Sequence, residues 1–112
     1  MDIVSEHRGA ARLITVSEER IDAAVAIQFK DKMRAISDEG DSHLVLDLAR
    51  VAFVDSSGLG AIVASMKQLK PGQKIELAGL TPTVQKVFRL TRMDSVFTIY
   101  DDVSAAFAQP AT

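Results

Sequence analysis

The sequence predicts a single α/β domain in which strands and helices alternate along the chain. Three observations lead to this fold class: a β-branched run at residues 11–16, a continuous apolar run at 43–48, and an apolar stripe at helical spacing between 59 and 69. Alternation of this kind is typical of a sheet with crossover helices. We expect one domain over residues 1–112, with a mixed sheet of about four to five strands and about four helices.

The first third of the chain predicts a strand followed by an amphipathic helix. Residues 11–16 form the strand, after a polar leader at 1–10 that is either flexible or holds an additional strand. Asp22 is a suitable N-cap for the helix. The helix has apolar residues at spacings of three and four, namely Ala26, Phe29, Met33 and Ile36.

Val25 and Ile27 lie off this stripe. They indicate either a broader buried face or an exposed apolar contact surface. The usual width of an apolar stripe on a surface helix favours the broader face.

The middle of the chain predicts two strands and a second helix. Residues 43–48 form an apolar run short enough for a strand buried on both faces, which prefers parallel neighbours. Residues 51–54 form a further strand that ends in a turn. The helix after this turn has a clear apolar stripe and stops at Pro71-Gly72. The residues of the stripe are Leu59, Ile62, Val63, Met66 and Leu69.

The last third continues the alternation. Residues 74–80 form a strand, and Thr81 caps a third helix whose first turn contains Pro82, where the missing N–H group has no cost. Residues 96–100 form the last strand, and Asp101-Asp102 lead into a terminal helix at 103–107. We expect residues 109–112 to fray.

Charge and composition exclude several classes of partner. The net charge is −2 and the 13 basic residues are scattered, so the chain lacks the basic surface that binds nucleic acid. No run approaches the ~20 apolar residues of a membrane span, and the N-terminus lacks the pattern of a signal peptide. The absence of cysteine fits a reducing compartment. We therefore expect a cytoplasmic protein without a membrane or nucleic-acid partner.

The candidate functional residues lie in the run V-A-F-V-D-S-S-G-L-G at 51–60. It reads as a strand that ends in an acidic, hydroxyl-rich turn and opens directly into a helix. Asp55, Ser56 and Ser57 are suited to cap the first N–H groups of that helix. The same N–H groups and the positive end of the helix dipole can hold a phosphate group. The turn is therefore either a cap alone or a site of modification.

Enzymatic and cofactor-binding alternatives have little support in the sequence. His7 and His43 are the two available bases, and no G-x-S-x-G elbow is present. Gly58 and Gly60 are not part of a nucleotide-binding glycine motif, and the carboxylates lack EF-hand spacing. We expect no catalytic residue, no metal site and no cofactor.

The residues of this turn carry a family resemblance. The run L-V-L-D-L-A-R-V-A-F-V-D-S-S-G-L-G at 44–60 resembles the central block of STAS domains, and closely that of sporulation-type anti-sigma factor antagonists. Ile21-Asp22 and residues 90–100 are similar to flanking blocks of the family, so the resemblance covers roughly residues 11–107. The chain has Glu19-Arg20 and Arg92 where the family often has glycine.

The resemblance implies a partner-switching protein that is not an enzyme. Such a protein binds an anti-sigma factor with serine kinase activity and thereby frees a sigma factor. Phosphorylation of one serine by that kinase blocks binding, and a PP2C-like phosphatase removes the phosphate. The sequence leaves the oligomeric state open, and we favour a monomer.

By the same match, Ser57 is the phosphorylated residue. Asp55 and Ser56 shape the turn, Gly58 permits close approach, and Asp22 lies on the neighbouring partner-facing loop. The partner-binding set is thus Asp22, Asp55, Ser56, Ser57 and Gly58. The alternative is a STAS scaffold without a switch, or an accessory subunit of a signalling or transport complex.

Overall fold

A computed structural model of the protein describes residues 1–108. The helices in this range are α1 (Ala26–Ser37), α2 (Ser56–Lys67), α3 (Pro82–Leu90) and α4 (Val103–Phe107). The strands are β1 (Ile3–Arg8), β2 (Ala11–Val16), β3 (Arg20–Ile21), β4 (His43–Asp47), β5 (Phe53–Val54), β6 (Lys74–Ala78) and β7 (Ile99–Tyr100). The predicted α/β class, with a mixed sheet and four helices, is confirmed for the described residues. The fraying predicted for residues 109–112 lies outside this range.

The main sheet has five strands in the order β1-β2-β4-β6-β7. β1 is antiparallel to β2, whereas the remaining neighbours are parallel. A separate parallel pair joins β3 to β5, with Arg20 opposite Phe53 and Ile21 opposite Val54. This small sheet carries the loop before α1 and the turn before α2, and it therefore places the two loops of the candidate site side by side.

The two faces of the main sheet are covered unequally. Because side chains alternate along a strand, Leu44 and Leu46 of β4 face one side and Val45 faces the other. The first side forms the main core with α1, α2 and α3. The second side packs against α4 through Ala106. Leu44, Val45 and Leu46 are all fully buried, which confirms the prediction of a strand buried on both faces.

Residues 1–10, interpreted from the sequence as a polar leader, contain a full strand. β1 pairs with β2 over six consecutive positions, from Ile3 opposite Val16 to Arg8 opposite Ala11. Ile3 packs against the main core, whereas the next residue, Val4, is largely exposed. The additional strand that the sequence left open is therefore present. The many polar residues of β1 are explained by its position at the sheet edge, where few side chains need burial.

The last strand is shorter than the strand that the sequence predicts at residues 96–100. Residues 96–98 are not in a strand, and β7 contains only Ile99 and Tyr100. A 3-10 turn at Met93–Ser95 precedes it, and the N–H groups of Val96 and Phe97 donate to the Met93 carbonyl. Those bonds hold the backbone in a turn and keep it from extending. Phe97 is instead buried, with its ring 6.0 Å from that of Phe88.

Arg92 adopts the left-handed conformation at the exit of α3, with φ of 61°. This is the position at which the sequence departs from a frequent family glycine. Glycine adopts such a φ without steric cost, whereas arginine has a Cβ that crowds the backbone. The helix exit therefore keeps the geometry that glycine favours.

Thr81 occupies the predicted N-cap position of α3, with Pro82 as the first helical residue. Its hydroxyl makes no cap hydrogen bond. It donates instead to the carbonyl of Val51 at 2.8 Å. The side chain thus ties α3 to the segment before β5.

Candidate functional site

Asp55 caps the N-terminus of α2, as the sequence predicts. Its backbone is extended, with φ of −92° and ψ of −176°, and Oδ1 accepts a hydrogen bond from the Gly58 N–H group at 2.8 Å. This bond satisfies one of the N–H groups that a helix leaves unpaired at its start. The turn at residues 55–58 is therefore held in a defined shape by its own first residue.

The second oxygen of Asp55 reaches the neighbouring loop. Oδ2 accepts a hydrogen bond from the Ala23 N–H group at 3.2 Å, and the Asp55 N–H group donates to the Ile21 carbonyl at 3.3 Å. One side chain thus joins the start of α2 to the loop between β3 and α1. The pairing of β3 with β5 aligns these two segments.

Asp22 lies in this neighbouring loop, but the prediction that it caps α1 is wrong. The helix begins at Ala26, its N-cap residue is Val25, and no side chain caps it. Asp22 Oδ1 accepts from the Ala24 N–H group at 3.1 Å, and its carbonyl accepts from Val25 at 3.1 Å. The aspartate therefore stabilises a turn upstream of the helix, because its side chain bonds locally two residues ahead.

Gly58 is buried where α2 passes the backbone of β3. A Cβ atom at this position would lie 1.9 Å from the carbonyl oxygen of Ile21 and 2.6 Å from its carbonyl carbon. No side chain larger than hydrogen fits there without a backbone shift. The close approach at Gly58 is therefore to the backbone of Ile21 in the same chain. This contact fixes the position of the start of α2 relative to β3.

Ser56 and Ser57 are the first two residues of α2 and both are exposed. Within residues 1–108, neither hydroxyl takes part in a hydrogen bond, whereas the neighbouring Asp55 and Gly58 are bonded to each other. A serine at the second helical position has its hydroxyl near the positive end of the helix dipole. The turn therefore presents two hydroxyl groups to solvent on a rigid support.

Arg20 supplies a positive charge beside the loop before α1 and the turn before α2. Its Nε atom lies 3.6 Å from Asp22 Oδ2, and its guanidinium lies 4.7 Å from the centre of the Phe53 ring. The ion pair is exposed, so its stabilising effect is small. The arrangement keeps the Arg20 side chain against Phe53 of β5. The positive charge of Arg20 offsets the negative charge of Asp22.

The two histidines of the chain are paired with carboxylates away from the Ser57 turn. Among residues 1–108, no group of three or more His, Asp or Glu side chains is placed to hold a metal ion. His43 is hydrogen-bonded to Glu76, and His7 lies 3.3 Å from Asp41. Neither histidine is bonded to Ser57. The arrangement leaves the Ser57 hydroxyl exposed to solvent.

Comparison with known proteins agrees with this geometry. The family model of the STAS domain matches residues 2–106. A protein of Bordetella bronchiseptica, provisionally named the anti-sigma factor antagonist BtrV, is 32% identical over 97 residues, which are 86% of this chain and 84% of that protein.

Solved structures share the fold. The crystal structure of an anti-sigma factor antagonist from Mycobacterium paratuberculosis aligns with a TM-score of 0.85 and 24% identity, covering 94% of this chain and 89% of that one. The Bacillus cell fate determinant SpoIIAA in its phosphorylated form aligns with a TM-score of 0.68 and 20% identity, covering 94% and 96%.

The α/β fold of the described residues, with its five-stranded mixed sheet and four helices, matches that of STAS domain proteins. The chain belongs to the STAS domain family. The predicted resemblance is confirmed, and the relatives that carry it are named as antagonists of anti-sigma factors and not as enzymes. Within the described part of the chain, no helix is both long and apolar enough to cross a membrane.

Sequence reasoning missed one set of contacts in the site and favoured the wrong alternative for Ile27. Ile21 and Ala23 supply the backbone groups that meet Gly58 and Asp55, and no local pattern marks them for this role. Ile27 was expected to extend the buried face of α1, yet 69% of it is exposed. The alternative of an exposed apolar surface therefore holds for Ile27, because it lies on the opposite side of the helix from the buried Phe29 and Met33.

Proposed function

We propose that this protein is an anti-sigma factor antagonist that acts by partner switching, with Ser57 as its phosphorylation site. The unphosphorylated form binds an anti-sigma factor that is also a serine kinase, and this binding releases a sigma factor. Phosphorylation of Ser57 by that kinase blocks the interaction. A PP2C-like phosphatase restores the binding form, and the exchange takes place in the cytoplasm.

One observation carries the proposal. Ser57 is exposed and its hydroxyl has no hydrogen bond within residues 1–108, although it lies on a turn held by Asp55 and Gly58. A kinase needs a hydroxyl that it can reach and orient. A free hydroxyl on a rigid turn meets both needs, whereas a serine that merely capped the helix would accept a backbone N–H bond.

The charge of a phosphoserine supports a switch that acts at the surface. The modification adds about −1.5 to −2 charges beside the half-buried Asp55 carboxylate, together with three strong acceptor oxygens. The N-terminus of α2 offsets part of this repulsion, by about 0.3–1 kcal/mol. We therefore expect the fold to persist. A phosphorylated form is also known for SpoIIAA, which shares this fold.

The loss of partner binding arises from the cost of burying the added charge. A partner that covers the Ser57 hydroxyl would have to remove water from the phosphate or accept a gap around it. Either costs a few kcal/mol, and each 1.4 kcal/mol changes the dissociation constant about tenfold. Phosphorylation then separates bound and free states without any change in the structure of the domain.

The first experiment identifies the modified serine. The protein is incubated with ATP and the anti-sigma factor kinase encoded nearest to its gene, and the product is mapped by mass spectrometry. We expect one phosphate on Ser57, its loss in Ser57→Ala, and wild-type incorporation in the matched control Ser56→Ala. Incorporation that survives in Ser57→Ala would remove the proposal.

The second experiment measures the switch. Calorimetric titration of the same kinase, held with a non-hydrolysable ATP analogue, should show that Ser57→Asp weakens binding by at least about tenfold. Its thermal unfolding midpoint should stay within about 3 °C of the wild-type value. Unchanged affinity in Ser57→Asp would favour a scaffold or an accessory subunit that does not switch.

A further inference from the structure

An exposed apolar patch lies beside the Ser57 turn and has no role in the fold. It consists of Ala23 and Ala24 in the loop before α1 and of Ile27 in the first turn of that helix, all three exposed. Ile27 is 69% exposed, which makes it one of the most exposed large apolar side chains in residues 1–108. Exposing an isoleucine to this extent has a cost in free energy that a binding partner can recover.

The patch has charged groups around it. Arg20 and Asp22 precede it in the chain, and Lys30 and Asp31 follow at the next turn of α1. Lys30 and Asp31 form no ion pair within residues 1–108, so both remain available to another molecule. An apolar centre with a polar rim is the usual anatomy of a protein–protein interface.

The patch is continuous with the Ser57 turn. The Ala23 N–H group donates to Asp55 Oδ2 at 3.2 Å, and Asp55 is the N-cap of the helix whose second residue is Ser57. Ile27 follows Ala23 by four residues, across the turn at residues 23–25, and is the second residue of α1. A protein that covers Ser57 and the adjoining contact between Asp55 and Ala23 therefore meets Ile27 at the start of the next helix.

The size of the patch indicates which occupant it takes. One isoleucine and two alanines supply only a part of the ~800 Å² that a stable interface buries on each partner, so the same occupant must also cover the adjoining turn. A second copy of this chain seated there would hide Ser57 in the free protein. An anti-sigma factor kinase covers Ser57 only when it binds, which agrees with the need for an accessible hydroxyl.

We propose that Ala23, Ala24 and Ile27 form the apolar anchor for the anti-sigma factor kinase, which inserts an apolar side chain against Ile27 and places charged groups of both signs around it. This inference rests on the proposed function and adds a second area of contact between the protein and the kinase. The Ile27 patch then adds to the affinity for the kinase, whereas regulation comes from the charge state of Ser57.

The test compares two exposed aliphatic residues. Ile27→Ala and Ile27→Asp are titrated against the anti-sigma factor kinase encoded nearest to the gene, held with a non-hydrolysable ATP analogue. Val4→Ala and Val4→Asp are the matched controls, because Val4 is 56% exposed and lies on a strand at the edge of the sheet. Thermal unfolding of each variant monitors the fold.

We expect Ile27→Ala to weaken binding about 10- to 30-fold, from the loss of three carbon atoms that become buried in the complex. Ile27→Asp should weaken it further, and the two Val4 variants should stay within about twofold of wild type.

The outcomes separate this proposal from the one on which it rests. If Ile27→Ala binds like the wild type while Ser57→Asp does not bind, the anchor is wrong and the switch stands. A wild-type protein that binds no such kinase overturns both. Sedimentation velocity that shows a wild-type dimer and a monomeric Ile27→Asp variant would identify a second copy as the occupant, and would also overturn the proposal.

Discussion

Replacement of Gly58 by alanine tests the geometry that supports the Ser57 turn. The added Cβ atom would lie 1.9 Å from the Ile21 carbonyl oxygen, and heavy atoms do not approach a Cβ more closely than about 3 Å. The start of α2 must therefore move away from β3 by about 1 Å. The atom it meets belongs to the backbone of a paired strand, so no flexible side chain can make room.

The expected cost follows from three contributions. Overpacking of this kind costs about 1–3 kcal/mol, and the shift weakens the cap bond between Asp55 and the residue-58 N–H group, worth about 0.5–2 kcal/mol. Alanine is better than glycine inside a helix by about 0.8–1 kcal/mol, which offsets part of the loss. We expect Gly58→Ala to lower the free energy of unfolding by about 2–3 kcal/mol, or the unfolding midpoint by about 8–12 °C.

Gly60→Ala is the matched control, with the same chemical change two residues further along the same helix. Gly60 is exposed, and a Cβ atom built there has no atom within 4 Å. The variant should gain about 0.5–1 kcal/mol from helix propensity. Urea unfolding at neutral pH measures both variants, and a Gly58→Ala protein as stable as the wild type would refute the assigned contact with Ile21.

Three further predictions concern stability. Asp55→Ala should lose about 1–2 kcal/mol in urea unfolding, because it removes the cap of α2 and the tether to the Ala23 N–H group, and an unchanged midpoint would contradict both roles. Phe29→Ala should lose about 3–5 kcal/mol by opening a cavity in the main core, and a loss below about 1 kcal/mol would show that Phe29 is not buried as described. The hydrogen bond from Arg12 lowers the pKa of Glu39 below its ordinary value of 4.5. This carboxylate therefore stabilises the fold above that ordinary pKa, and its contribution disappears as the pH falls through the lower pKa of the folded state. Glu39→Gln should therefore lose less stability than the wild type between pH 6 and pH 3, measured as the shift of the urea midpoint, and parallel pH profiles would refute this coupling.

Much of the fold could be predicted from the sequence because the signals are local. The stripe from Leu59 to Leu69 repeats at the helical period, and the run at 43–48 is uniformly apolar, so each pattern specifies its element within one segment. Asp55 bonds to an N–H group only three residues away. Capping of this kind depends on neighbouring residues alone and can therefore be predicted without a tertiary structure.

The errors occurred where two short-range bonding patterns compete for the same residues. Asp22 has the chemistry of an N-cap, but its side chain bonds two residues ahead and the helix begins only at Ala26. Residues 96–98 have strand propensity, yet two hydrogen bonds to Met93 hold them in a turn. In both segments a short-range hydrogen bond overrides the structure that the residue types alone predict.

The amino-acid sequence by itself determined the order of strands and helices, the cap of α2 and the family to which the chain belongs. Only the tertiary structure decided that Asp55 also bonds to Ala23, 32 residues earlier, that Gly58 lies against Ile21, and that Ile27 faces solvent. The physical reason is the separation along the chain of the groups that interact. Periodicity and capping act within one or two helical turns, whereas the pairing of β3 with β5 brings together backbone groups that share no sequence pattern.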